Sequence, residues 1–308
     1  MKRNIYSKLW MIFFVLMGAA CTNQVEDAIP VSGQPIEFSV QSDWKEIPNT
    51  RSNDKTQFGQ NDEIQIFGFH KPFRDADENV QFMYKEGDPT TGQKVTYDNG
   101  NWNYSPKRFW PKKGVLDFFA SYPYNSVHYD VGNKRMTYNN NLTQDLLYGL
   151  ATNRDCASKE TVSIWMVHAL AKVRIILDES LGKIGTVKVS GYKAGHFSPI
   201  NYGVPAWEID DVNTHIDATF HKFAGEGYEE DEELHDNNSV TVFILPKKIT
   251  GLQMWDYGGK PIDASEKIKD LEFEAGKVYN LTISKSNGVR KKNTNSRSIA
   301  MSVRCVSE

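Results

Sequence analysis

The sequence predicts an all-β protein, two tandem β-sandwich domains behind a secretory leader, on three observations. Aromatic residues make up 12% of the 308-residue chain, and aromatic and β-branched side chains suit half-buried, pleated surfaces. The apolar runs are short and separated by turn residues, the spacing of many short strands. No stretch keeps a 3.6-residue period for three turns, so no long helix is expected.

The first element is an export signal. Lys2, Arg3 and Lys8 precede an apolar run from Leu9 to Met17, and Gly18, Ala19 and Ala20 follow. A basic segment, a short apolar core and small residues make a signal peptide over residues 1–20. The run is too short to span a bilayer. Cys21 comes next, and Gly18-Ala19-Ala20-Cys21 is similar to the lipobox of bacterial lipoproteins, in which the cysteine is lipidated and cleavage falls before it. Gly18 stands where a large aliphatic residue is usual, and the other reading is an ordinary signal peptide with an incidental cysteine. Residues 21–34 form a flexible tether, whose Glu26 and Asp27 resemble the acidic signal carried by surface lipoproteins of Bacteroidota.

Losing Lys2, Arg3 and Lys8 takes the basic count from 36 to 33 against 39 acidic residues, a net charge of -6. Nothing there favours nucleic acid, whose binding rests on neutralising phosphates. Beyond Cys21 only Cys156 and Cys305 remain. They are able to form one disulfide outside the cytosol, but they are no disulfide scaffold, and no Cys/His cluster points to zinc.

From Pro35 the strands follow in order. Ile36–Val40 alternates apolar and polar residues, and Ile64–Phe69 begins the same way after the polar stretch Asn49 to Asp62. Lys94–Tyr97 and Trp102–Tyr104 flank Asn99-Gly100, whose residues accept the positive φ of a type I′ hairpin turn. Further strands are expected at Val115–Ser121, Leu146–Leu150, Val162–Val167 and Val173–Leu177. After the polar break Asp178-Glu179-Ser180-Leu181-Gly182 come Val187–Val189, Ala206–Ile209, Val240–Leu245, Leu271–Phe273 and Val278–Ile283. About thirteen strands suit two sandwiches better than one, so the break divides an N-terminal domain, 35–180, from a C-terminal domain, 181–284. Each has enough residues for its own core.

Catalytic patterns are missing: there is no GxSxG elbow, HExxH helix, Walker loop or GxGxxG turn. His168 sits at a strand end with no nucleophile beside it and reads as a hydrogen-bonded core residue. Gly225–Asn238 gathers seven acidic residues but lacks the spacing of a calcium loop, and reads as a solvated connection. The sequence therefore predicts no enzyme, no cofactor and no metal, and an interaction or structural protein instead.

Several blocks then point to one family. Asn99-Gly100-Asn101-Trp102-Asn103-Tyr104-Ser105-Pro106, Phe109-Trp110-Pro111 and Val115–Pro123 come first. Asp145-Leu146-Leu147-Tyr148-Gly149, His168-Ala169-Leu170-Ala171-Lys172-Val173 and Ala275–Ile283 follow. This ordered set, from about Pro35 to Ser284, resembles the fimbrillin-like (FimA/Mfa-like) lipoproteins of Bacteroidota, the subunits of type V pili. The resemblance implies two β-sandwiches of transthyretin-like or Greek-key topology and a stalk, anchor or tip role in a fimbria at the outer membrane. It implies other pilus subunits as partners, and adhesion to a host protein or glycan. It also implies removal of an N-terminal segment by an arginine-directed protease, after which a strand from the next subunit fills the exposed groove. Asn49-Thr50-Arg51-Ser52 matches the family's processing position, making Arg51 the candidate cleavage residue; its other reading is a linker arginine. The rival function is a monomeric surface lipoprotein that binds glycan or host protein.

The last element is the C-terminus, 285–308. Lys285 to Ser298 is basic and turn-rich and reads as a linker. Ile299, Met301, Val303 and Cys305 then fall on one face of a short alternating strand. A strand beyond a linker, with no sheet assigned to it, is the expected form of a donor strand. The other reading folds it back onto its own domain, with Cys305 near Cys156.

Overall fold

The computed structural model describes residues 29–42, 57–75, 79–199, 205–221, 235–236, 238–285 and 288–296. Cys21, Arg51, Ile299, Met301, Val303 and Cys305 lie outside the described residues, as does most of the acidic stretch Gly225–Asn238. The chain is all-β, as the composition requires.

The first half contributes β1 (Val31–Pro35), β2 (Phe38–Ser42), β3 (Glu63–Lys71), β4 (Val80–Met83), β5 (Gln93–Asp98) and β6 (Asn101–Asn103). It continues with β7 (Phe109–Pro111), β8 (Val115–Tyr122), β9 (Val127–Asp130), β10 (Arg135–Asn139), β11 (Leu147–Asp155) and β12 (Val162–His168). The β5–β6 hairpin turns through Asn99 and Gly100 at φ 49° and 86°, the pair of positive values a type I′ turn needs.

An eight-stranded sheet runs β2-β12-β11-β8-β3-β5-β6, with β4 beside β3. Its central strands are apolar on both faces because both faces are covered. Ile64, Ile66, Leu116, Phe118, Leu147 and Ile164 fill the core on one side. Phe67, Phe119 and Tyr148 fill the other, beneath a four-stranded sheet. Gln65 is buried among them because its amide donates to Ser121 Oγ and Val127 O, both at 2.8 Å.

The second half supplies β13 (Ala171–Leu177), β14 (Ile184–Tyr192), β15 (Ala194–Phe197), β16 (Glu208–Ile209), β17 (His215–His221) and β18 (His235–Asp236). After these come β19 (Ser239–Ile244), β20 (Ile249–Asp256), β21 (Pro261–Asp263), the one-turn helix α1 (Ser265–Ile268), β22 (Lys277–Ser284) and β23 (Gly288–Ser296). Sheet β18-β19-β13-β22-β23 faces sheet β17-β14-β20-β21. Val173, Ile175, Val187, Val189, Val242, Leu252 and Leu281 form the core between them.

Three sequence boundaries differ from this arrangement, the earliest being that residues 31–34, expected in the tether, belong to β1 and pair with β7. The chain changes sheet between His168 and Ala171, ahead of the polar break at 178–182. That break is a 3-10 turn, Glu179–Leu181, capped by Asp178 and joining β13 to β14 on the opposite sheet. The change of sheet is not signalled locally, because Ala169 and Leu170 are both fully buried and offer no polar break. His168 Nδ1 pairs with Asp145 Oδ2 at 2.6 Å at this point, a structural role. Third, the segment from Lys285 read as a linker contains β23, antiparallel to β22 from Ser284↔Gly288 to Lys277↔Ser296. Its polar, basic sequence conceals a strand because pairing with β22 needs no apolar face of its own. The expected strand Leu271–Phe273 is reduced to a bridge between Phe273 and Lys247.

The halves also share a sheet. β15 from the second half pairs with β10 from the first, Met136↔Phe197 to Asn139↔Ala194, giving the order β16-β15-β10-β9. Phe197, Phe243 and Leu245 thereby enter the core around Phe67 and Phe119.

Candidate assembly groove

The N-terminal segment Ile29–Ser42 closes the eight-stranded sheet. β2 runs parallel to β12, Val162↔Phe38 through Met166↔Ser42. A parallel edge is weaker per residue than the antiparallel ladders that make up the rest of the sheet. At the other margin, Trp102 Nε1 donates to Val40 O at 3.3 Å and Tyr104 Oη donates to Ile36 O at 2.8 Å. β2 is thus a plug between β12 and the β6 margin of one curled sheet.

Alternation explains how the plug is held. Ile36 is fully buried, and Phe38 and Val40 are each 6% exposed. The Phe38 ring meets Phe118 edge-on at 5.3 Å and Tyr104 at 5.8 Å. Burying three such side chains contributes about 5–9 kcal/mol before ordering costs. Backbone bonds add register: Ile36 N–H donates to Arg108 O and Val162 N–H to Glu37 O, both at 2.8 Å. β1 continues outward and pairs with β7, the two forming a sheet of their own.

The groove walls come from the motif residues. Trp102 and Tyr104 follow the Asn-Gly turn, whose tight geometry aims both side chains inward. Burial pushes the Tyr104 hydroxyl up to about 12, so it stays a protonated donor to Ile36 O at physiological pH. Trp110 packs on Phe118, and Phe58 on Trp102 at 4.9 Å. Cys156 is buried in the same core, and burial, followed by the Asp155 charge, pushes its thiol up to about 12.

The residues that line and fill this groove were visible as strands and aromatic motifs, but not as a groove. Ile36, Phe38 and Val40 alternate plainly in the sequence; their partner β12 is remote along the chain, and no local pattern encodes a parallel pairing. Among the described residues no group of His, Cys, Asp and Glu is arranged to hold a metal ion. No helix among them is long and apolar enough to cross a membrane.

Solved structures share the architecture. A candidate cell adhesion protein of Bacteroides uniformis is 19% identical, with a TM-score of 0.54 over 87% of this chain and 100% of its own. One from Bacteroides ovatus is 13% identical, with a TM-score of 0.51 over 86% of this chain and 97% of its own. The tip fimbrial protein Mfa3 of Porphyromonas gingivalis, truncated at its C-terminus, is more distant at 8% identity and a TM-score of 0.39, covering 77% of this chain and 94% of its own. At these identities the first two likenesses speak for fold alone. Comparison with curated proteins gives no match. The profile of the fimbrillin-like family, however, matches residues 50–300, nearly the whole body that the plug strand closes. By that match the chain belongs to the fimbrillin-like family, whose members are pilus subunits and adhesins of the cell surface.

Proposed function

We propose that this chain is a pilus subunit stored with its groove filled by its own β2 and polymerised by exchanging that strand for one from another copy. The observation that carries the reading is a correspondence between plug and tail. The plug reads Ile36-Glu37-Phe38-Ser39-Val40, and the C-terminal alternation reads Ile299-Ala300-Met301-Ser302-Val303. Ile, a large flexible or aromatic residue, and Val recur at the same period of two. A groove shaped for Ile36, Phe38 and Val40 therefore suits Ile299, Met301 and Val303 with little change in volume, and such swaps cost under about 1.5 kcal/mol.

Location along the chain supports the exchange. Arg51 stands between β2, which ends at Ser42, and β3, which begins at Glu63, so one cut there separates the plug from the body. The family profile begins at residue 50 and leaves β1 and β2 outside it. Export as a lipoprotein through Cys21, with stable anchoring by several acyl chains in the outer membrane, completes the proposal.

The test combines trypsin-like cleavage with SDS-resistant laddering. Cleaved mature protein is expected to form ladders, and the Arg51→Ala variant to stay monomeric under the same protease. Deleting Ile299 to Glu308 should leave a well-folded monomer that cannot ladder. A truncated chain that still polymerises but is itself less stable would mean that the tail folds back and the exchange is wrong. For the anchor, Cys21→Ala should abolish palmitate labelling and detergent partitioning, and unchanged labelling would refute it.

A further inference from the structure

An open sheet ends in strands with unpaired backbone groups, and native proteins keep such edges from pairing by shortness, proline, lysine or bulges. Two edges of the C-terminal sandwich follow that rule. β18 is two residues long, and β21 is three and begins with Pro261. β17 does not follow it. It runs seven residues, His215–His221, holds neither proline nor lysine, and pairs with β14 in unbroken register. Among the described residues no strand lies on its far side.

Hydrogen bonds across the sheet fix which atoms of β17 face outward. Leu252 of β20 accepts at its carbonyl from Ala264 N–H at 2.9 Å, and its own N–H donates to Ser265 Oγ at 3.0 Å. Its backbone therefore turns towards β21 and α1. Backbone direction alternates along a strand, and directly opposed antiparallel residues share the same kind of pairing. Gly251 and Gln253 thus bond Ser190 and Lys188 of β14, which leaves Val189 and Val187 to bond Ala218 and Phe220 of β17. Asp217, Thr219 and His221 keep their N–H and C=O directed away from the sheet, and all three residues are exposed.

That row complements itself. When a second β17 lies antiparallel with Thr219 on the two-fold axis, Thr219 faces Thr219, and Asp217 of each copy faces His221 of the other. Threonine pairs and acid–base pairs are both favourable across strands. Asp217 is held in place by Ser190 Oγ at 2.6 Å and Lys188 Nζ at 3.0 Å, and a carboxylate has acceptor sites for a further donor. Thr186 Oγ1 lies 3.3 Å from His221 Nδ1, and by donating to it leaves the ring proton on Nε2 for that carboxylate. On the inner face Ala218 falls opposite Phe220, a small side chain beside a ring. Centring the axis on Ala218 sets His215 against His221, and centring it on Asp217 sets Asp217 against itself, so the Thr219 register is favoured.

We propose that two copies of this chain associate through β17 across this two-fold axis, joining two four-stranded sheets β17-β14-β20-β21 into one of eight strands. The contact uses neither β2 nor the C-terminal tail, so it holds for the uncleaved chain and stands apart from strand exchange along a pilus. One strand pair buries less than the roughly 1,200–2,000 Å² of a standard interface. The pairing is therefore weak between single subunits and gains by avidity where subunits already stand in rows, side by side.

The experiment uses the mature, uncleaved full chain carrying Cys21→Ala and Cys305→Ser, oxidised with copper phenanthroline and run on a non-reducing gel. Thr219→Cys sets two thiols opposite each other with Cα atoms about 5.5 Å apart, within disulfide reach, and a covalent dimer is expected. Asp217→Cys faces His221 of the second copy and should crosslink about tenfold less or not at all. Without an added cysteine, sedimentation velocity from micromolar to millimolar protein should show a monomer–dimer equilibrium. Thr219→Pro should abolish it, because proline removes an outward N–H and leaves the ladder to β14 intact. His221→Asp should weaken it several-fold by setting carboxylates opposite one another, with the unfolding midpoint unchanged. A chain that stays monomeric at millimolar concentration, or equal crosslinking by Thr219→Cys and Asp217→Cys, would overturn the proposal. So would Thr219 and His221 amides already protected from exchange in the dilute monomer, since the edge would then be covered by its own chain.

Discussion

Gly149 ends the Asp-Leu-Leu-Tyr-Gly block, and its reason is steric. A Cβ built there would lie 2.6 Å from Trp165 O and 2.8 Å from Ile164 Cγ2 on the neighbouring strand. Gly149→Ala should therefore cost about 1–3 kcal/mol, read from urea unfolding, although the position is an ordinary strand residue by sequence. Tyr104 offers a finer test. Tyr104→Phe keeps the ring against Phe38 but leaves Ile36 O without its side-chain donor. We expect a loss of about 1–2 kcal/mol, expressed first as faster amide exchange in β1 and β2. The motif residues were legible as a set because aromatic residues around an Asn-Gly turn stand out. The backbone atoms they serve were not, since those belong to remote strands.

Strands differ in how far their sequences announce them. β3, β8, β12 and β22 carry dense apolar residues and were readable; β9, β10, β15, β17 and β20 alternate around His, Asp, Thr and Gly and were not. Their place is fixed by partners rather than by propensity, as when β15 completes a sheet begun by β10. The plug strand yields a prediction at this scale. Phe38→Ala should cost about 3–5 kcal/mol by the usual reckoning for a buried ring, and because β2 is an edge the loss should appear as local opening. Limited proteolysis would then nick the variant ahead of β3 while the body stays intact. Turns and one cross-strand pair give a pH signature. Hydrogen bonds from Thr90, Asn133, Thr214 and Ser190 hold Asp88, Asp130, Asp211 and Asp217 below the ordinary 3.8. Folded carboxyls that protonate less readily than unfolded ones stabilise the protein above about pH 4, and that stability is lost as pH falls through their lowered values. Urea midpoints should be level from neutral to about pH 5 and drop by about pH 3, with Asp217→Asn blunting the drop.

For the whole molecule, the shared sheet matters more than the change of sheet at Ala169-Leu170. The chain length and the polar break suggested two halves with independent cores. Each half does have a core of its own, but Phe197, Phe243 and Leu245, all beyond the break, also cover Phe67, Phe119 and Tyr148 in a third, shared core. A fragment of residues 29–180 should therefore expose that aromatic face, bind ANS and give poorly dispersed NMR spectra, whereas the full chain should not. A well-dispersed fragment spectrum would mean that this face needs no cover from the second half. Such long-range covering has no local signature, which is why strand counting found the fold class and missed the shared layer.

The position of Ser296 has a mechanical consequence. It pairs with Lys277, whose neighbour Gly276 donates its N–H to Leu170 O at 3.0 Å, so β23 finishes beside the junction of the two halves. Only Arg297 and Ser298 separate that point from Ile299, a leash of about 10 Å at full extension. A copy that lends Ile299 to Val303 must hold its neighbour's groove against its own waist, with no slack between them. Fibres tied so tightly would be stiff rods, straight in electron micrographs over many subunits. Lengthening the leash by inserting glycine and serine after Ser298 should make them visibly curl while leaving the ladder on the gel unchanged.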